Sequence, residues 1–140
     1  MSQEWNGFVL TKETNDIISQ IREGQFEDFA FGCILGSFIG DAGGSLVEFI
    51  ETRVDENLLK KCLEMPGGGT HGNGPGQVTD DGEMTMCLLW GLSKNQKEQG
   101  LLKIDLNHVC EYYKEWILSS PFDIGVTTKD ALGPLVLPEN

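Results

Sequence analysis

The sequence predicts an all-α fold, an assembly of short helices joined by functional loops. Three observations carry that expectation. Apolar residues recur at helical spacing in several separate stretches. No stretch shows the strict apolar–polar alternation of a half-buried strand. The segments between the helical stretches are broken by dense glycine and proline. With 140 residues one domain is expected, long enough to bury a core.

The elements follow in order. Glu13 to Arg22 reads as a short amphipathic helix, with Ile17, Ile18 and Ile21 on one side. Residues 1–24 read as an N-terminal extension. Phe26 to Ile39 is a stronger helical run, in which Gly32, Gly36 and Gly40 share one face. Glycine inside a helix costs roughly 0.5–1 kcal/mol relative to alanine. Such a face predicts close approach of another helix, or of a ligand. Asp41 to Ser45 is expected to break the run. Glu56 to Glu64 is again helical in pattern. Pro66 to Gly76 is a glycine-rich loop. Thr79 then reads as an N-cap, with Asp80, Asp81 and Glu83 in the first turn of a helix reaching about Lys94. Asp105 is placed to cap a helix carrying Val109, Tyr112, Tyr113, Trp116 and Ile117. Pro121 to Val126 is a loop. Thr127 or Thr128 begins a last helix at Lys129, which Pro134 and Pro138 interrupt.

Composition narrows the function. The net charge is −12, which repels phosphate backbones and argues against general nucleic-acid binding. The longest apolar stretch, Phe29 to Ile39, is too short to span a bilayer, so no membrane role is expected. Met1 to Gln20 shows no signal-peptide pattern. Cys33, Cys62, Cys87 and Cys110 form no C-x-x-C pair, and His71 and His108 do not complete a zinc pattern. Buried, reduced thiols in a cytoplasmic protein account for them.

Two motifs can be set aside. Gly67 to Gly72 formally matches G-x-G-x-x-G, but a helical pattern precedes it and no helix opens on it, against the strand–turn–helix context of a dinucleotide loop. His108 and Glu111 lie three apart, without the H-E-x-x-H pattern of a metal pair. Thr79-Asp80-Asp81 carries more. Capping and complementing a helix dipole explain the residue types. Alternatively, two adjacent carboxylates on a rigid turn repel each other unless a cation sits near them. A hydroxyl with two carboxylates is a suitable half-shell for a hard divalent ion. Glu48, just past the Gly43-Gly44 break, would join the same site if the glycine loops fold together.

Three segments together resemble the ADP-ribosylglycohydrolase family. The first runs from Gly32 through Gly40-Asp41-Ala42-Gly43-Gly44 to Glu48-Phe49. The second runs from Met65 to Thr79-Asp80-Asp81. The third is Ser120-Pro121-Phe122-Asp123-Ile124-Gly125-Val126-Thr127-Thr128. Their order and spacing are similar to the family's over about residues 26 to 133. The resemblance implies an all-α, multi-helix fold, residues 25–140 being the N-terminal portion of such a domain. It also implies a binuclear Mg²⁺ or Mn²⁺ centre. Thr79, Asp80, Asp81 and Glu48 would be metal ligands, with Glu48 or Asp80 as the catalytic base, and Asp123 and the glycine-rich loop as weaker substrate contacts. The implied reaction is hydrolysis of the bond between ADP-ribose and a modified target, the partner being ADP-ribose or an ADP-ribosylated protein. Non-catalytic ADP-ribose or protein binding on the same fold is the alternative.

Two departures from the family's pattern stand out. Gly82 replaces the threonine that many members place after Thr-Asp-Asp, and the family's second metal segment, Asp-x-Asp-Ser/Thr, is absent from the sequence. The chain therefore reads as a fragment or half of a split protein. It is expected to be inactive alone, and to self-associate or bind a partner carrying the missing half.

Overall fold

The computed structural model describes residues 4–5, 8–9, 24–94, 97–98, 101–102 and 105–136. In chain order it contains β1 (Glu4–Trp5), β2 (Phe8–Val9), α1 (Gln25–Gly44), α2 (Glu56–Leu63), α3 (Asp80–Ser93), β3 (Lys97–Glu98), β4 (Leu101–Leu102), α4 (Leu106–Leu118) and α5 (Val126–Leu132). A 3₁₀ turn over Gly133–Val136 follows. The fold is helical, as the periodicity predicts. Two antiparallel hairpins, β1–β2 and β3–β4, were not expected. With two residues per strand, they are too short for a period of two to register. The helix expected over Glu13 to Arg22 lies outside the described residues.

The core lies between α3 and α4. Cys87 of α3 and Val109 and Trp116 of α4 are buried there, the last two a heptad apart on one face. The Trp116 Nε1–H donates to Glu83 Oε2 at 2.6 Å, so the indole buries its ring and satisfies its one donor. Trp90 and Tyr112 stack across the same interface, centroids 5.8 Å apart. Trp116 is covered from within the chain. Asp105 caps α4 as expected, accepting from the Asn107 N–H at 2.9 Å. The thiol reading holds for Cys62 and Cys87, both buried, but Cys33 and Cys110 are exposed.

Two helix boundaries differ from the sequence reading. α1 does not break at Asp41 but continues through Gly44. Tertiary contacts override the weak local propensity there. Ala42 and Gly43 are buried, and Gly43 faces the Cys62 carbonyl of α2. α5 starts at Val126, three residues before the expected Lys129, because the backbone N–H of its cap, Gly125, is held by Asp80 Oδ2 at 3.2 Å. Among the described residues, no helix packs closely on the Gly32, Gly36 and Gly40 face. Nothing among the described residues lies within 4 Å of where a Cβ would stand on any of the three.

Candidate functional site

Gly36 and Gly40 instead form one wall of an open cleft of about 530 Å³. Asp41, Glu48, Thr79, Asp80, Asp81 and Thr85 complete much of its lining. All four residues expected to bind metal therefore meet in one place.

Thr79 sits at the N-cap of α3, but its side chain makes no cap bond. Asp41, reaching across from α1, does that work. Its Oδ2 accepts the backbone N–H groups of Thr79 and Gly82, each at 2.8 Å, and its Oδ1 accepts the Thr79 hydroxyl at 2.7 Å. Two orphan donors of the helix start are thus satisfied by a carboxylate from another helix. Because Thr79 Oγ1 donates its proton to Asp41, its lone pairs are left for another partner. Asp80 bridges the start of α3 to the start of α5 through Gly125.

Gly82 is explained by the same contact. A Cβ there would stand 2.5 Å from Val78 Cβ and 2.7 Å from Asp41 Oδ2. The glycine permits the close approach by which Asp41 caps α3.

Glu48 follows α1 on a short turn that ends in Phe49, a non-glycine residue at φ 60°. This sparsely populated conformation is held by surrounding contacts. The Glu48 carbonyl accepts the Thr70 hydroxyl at 3.2 Å. The glycine-rich loop itself is closed by Gly68 and Asn73, whose backbones exchange hydrogen bonds of 2.7 and 2.9 Å. Gly69, at φ 71°, packs against the Ser45 carbonyl with no room for a side chain. The loop tip is thereby pressed onto the end of α1, which brings His71 beside Glu48 and Asp123. His71 Nε2 lies 3.7 Å from Glu48 Oε2 and 3.6 Å from Asp123 Oδ1.

The electrostatics are those of crowded carboxylates. Burial, then Asp123, Asp80 and Asp41, push the Glu48 carboxyl above its ordinary range, with His71 opposing. Burial, then Asp80, Asp41 and Asp123, push Asp81 up as well. The donors that remain are hydroxyl and carboxylate oxygens carrying uncompensated charge, a set that fits a hard divalent cation.

Asp41 and His71 were missed as site residues. Asp41 stood in a recognisable Gly-Asp-Ala segment, but its contact to Thr79 spans 38 positions, which no local pattern reveals. His71 fits no zinc spacing. Its partners are distant in sequence.

A profile of the ADP-ribosylglycohydrolase family matches residues 22–137. The chain belongs to that family. It is 37% identical over 107 residues to a protein of Acanthamoeba polyphaga mimivirus assigned as an ADP-ribosyl glycohydrolase, covering 74% of this chain and 31% of that protein. It is 35% identical over 102 residues to the ADP-ribosyl-[dinitrogen reductase] glycohydrolase of Rhodospirillum rubrum, covering 73% and 33%. Against the ADP-ribosylarginine hydrolase of Serratia proteamaculans it is 35% identical over 118 residues, covering 80% and 30%. The chain thus spans about a third of the length of the curated relatives it matches. Among the described residues no helix is long and apolar enough to cross a membrane.

Proposed function

We propose that this chain carries the first metal-binding segment of an ADP-ribosyl hydrolase acting on an ADP-ribosylated protein. The observation that carries the reading is the Thr79-Asp80-Asp81 turn, docked by Asp41 onto α1 and facing Glu48 across one cleft. Family membership and the relatives' names supply the substrate class.

Thr79, Asp80, Asp81 and Glu48 would hold Mg²⁺ or Mn²⁺, two ions in the complete family fold. When bound, such a cation orients ribose hydroxyls and water and stabilises developing charge. The chain's own residues prepare the site. Asp41 fixes the Thr79 hydroxyl so that its lone pairs are available. Asp80, tied to Gly125, keeps the third segment against the turn. Glu48, whose carboxyl holds a proton more readily than an ordinary glutamate, is suited to accept one from an attacking water. The glycosidic bond breaks through an oxocarbenium-like state, which an anionic cleft stabilises. Asp123, with its side chain 13% exposed, and the loop tip at His71 stand where substrate would enter beside Glu48.

Turnover of ADP-ribosylated arginine peptide by this segment in a complete hydrolase tests the reading. Glu48→Gln should lower kcat by roughly 10²–10⁴-fold, the scale for a lost general base, with little change in melting temperature. Unchanged turnover would remove Glu48 from the chemistry.

A further inference from the structure

The glycine-loop histidine has no part in the oxygen-donor half-shell, yet its geometry is specific. Glu48, His71 and Asp123 each offer one ligand atom, and the three atoms all lie within 4.8 Å of one another. The His71 Nε2 distances of 3.7 Å to Glu48 and 3.6 Å to Asp123 are too long for hydrogen bonds. They suit ligands sharing one ion. Bonds of about 2.0–2.2 Å in a tetrahedral shell set neighbouring donors roughly 3.3–3.6 Å apart.

The ring is also fixed in place. Phe49, the residue after Glu48, and Phe122, the residue before Asp123, meet the imidazole edge-on with centroids 6.2 and 6.3 Å away. Each carboxylate's chain neighbour therefore walls one side of the histidine. The Thr70 hydroxyl ties the loop tip to the Glu48 backbone. Three segments far apart in sequence thus converge on one point: the end of α1, the loop tip and the approach to α5.

We propose that Glu48, His71 and Asp123 form a second cation site, of mixed nitrogen and oxygen donors, that takes a borderline transition-metal ion such as Zn²⁺ or Co²⁺. Imidazole favours such ions, whereas hydroxyl and carboxylate donors alone favour Mg²⁺. Three protein ligands leave a fourth position open to water. The site shares Glu48 with the Thr79–Asp81 half-shell but stands independently of the hydrolase reading. Occupancy by a transition metal would engage Glu48 and so compete with its use in the cleft.

The test is Co²⁺ titration of tag-free protein, followed by visible d–d absorption and by competition with Zn²⁺. The wild type should give a ligand-field band of low-coordinate cobalt that Zn²⁺ abolishes. His71→Gln and Asp123→Asn should each weaken Co²⁺ binding by at least about 100-fold, a direct ligand costing no less than an outer-shell partner. His71→Lys keeps a positive charge between the carboxylates and should lose the band equally. Circular dichroism confirms that each variant is folded. Asp80→Asn/Asp81→Asn should keep the band, so failure of the Mg²⁺ reading leaves this one intact. No band in the wild type, or a band indifferent to His71→Gln and Asp123→Asn, would overturn the proposal.

Discussion

The two ends of α1 are held in different ways. From Asp41 to Ser45 the helix end is tied down. Asp41 makes three hydrogen bonds to α3, Ala42 and Gly43 are buried, and the buried Ser45 hydroxyl donates to the Ala42 carbonyl. From Phe26 to Ile39 the same helix is apolar but uncovered, with Phe26, Phe29, Phe31, Leu35 and Ile39 exposed by 59, 58, 66, 53 and 49%. The apolar half has the stronger helical signature in the sequence, yet the polar half holds the tertiary structure. The docked end is held by hydrogen bonds donated to one carboxylate, and apolar content alone does not predict which face is covered.

The largest effect should come from cutting that tie. Asp41→Ala leaves the Thr79 and Gly82 N–H groups without their acceptor in a part-buried place, and the Thr79 hydroxyl with only Asp80 Oδ1 at 3.4 Å. Bonds to a charged group contribute about 1.5–3 kcal/mol each, not additively, so a loss of about 3–5 kcal/mol is expected by urea denaturation. Destabilisation below about 1 kcal/mol would show that Asp41 is not the anchor. Next in size is Gly82→Thr, which restores the residue many family members carry. Here its Cβ collides with Val78 and Asp41, and overpacking of this kind costs about 1–3 kcal/mol. A neutral or stabilising result would mean that Asp41 can cap α3 from further away.

A third test uses pH. Glu48 and Asp81 bind protons more tightly folded than unfolded. Their contribution to stability is present below the unfolded carboxylate pKa and is lost as pH rises through the raised folded values. Above about pH 4, where unfolded carboxylates ionise, the contribution of these two groups should fall as pH rises. The Glu48→Gln/Asp81→Asn protein should lack it, so the wild-type melting curve minus the variant's should slope downward with pH. An upward slope would contradict the crowding. The smallest effect belongs to the uncovered half. Phe29→Gln and Phe31→Gln should change stability by no more than about 0.5 kcal/mol. Self-association measured by sedimentation should fall in both, because an exposed apolar patch is what drives it.

These contrasts also show what was legible in the sequence. Helices α2, α3 and α4 were readable because their apolar spacing is local and because residues of capping type, Thr79 and Asp105, precede α3 and α4. The four expected ligands were named because the glycine segments that carry them match a known family's order, and the structure brings those four residues to one cleft. The continuation of α1 through Asp41 was not readable, since its cause is a bond to residues 38 and 41 positions away. The early start of α5 has the same origin, a contact to Asp80 spanning 45 positions. His71 was invisible for a related reason: its two carboxylate partners lie in different segments, and only the closed glycine loop brings them together.

Thr79, Asp80 and Asp81, held by Asp41 opposite Glu48, are proposed to form a cation half-shell. Mg²⁺ titration by calorimetry tests it most directly, since Mg²⁺ prefers oxygen donors and discriminates against the histidine site. Weak but saturable heat is expected in the wild type and in His71→Gln, and none in the folded Asp80→Asn/Asp81→Asn protein. Identical heats in wild type and Asp80→Asn/Asp81→Asn would contradict it.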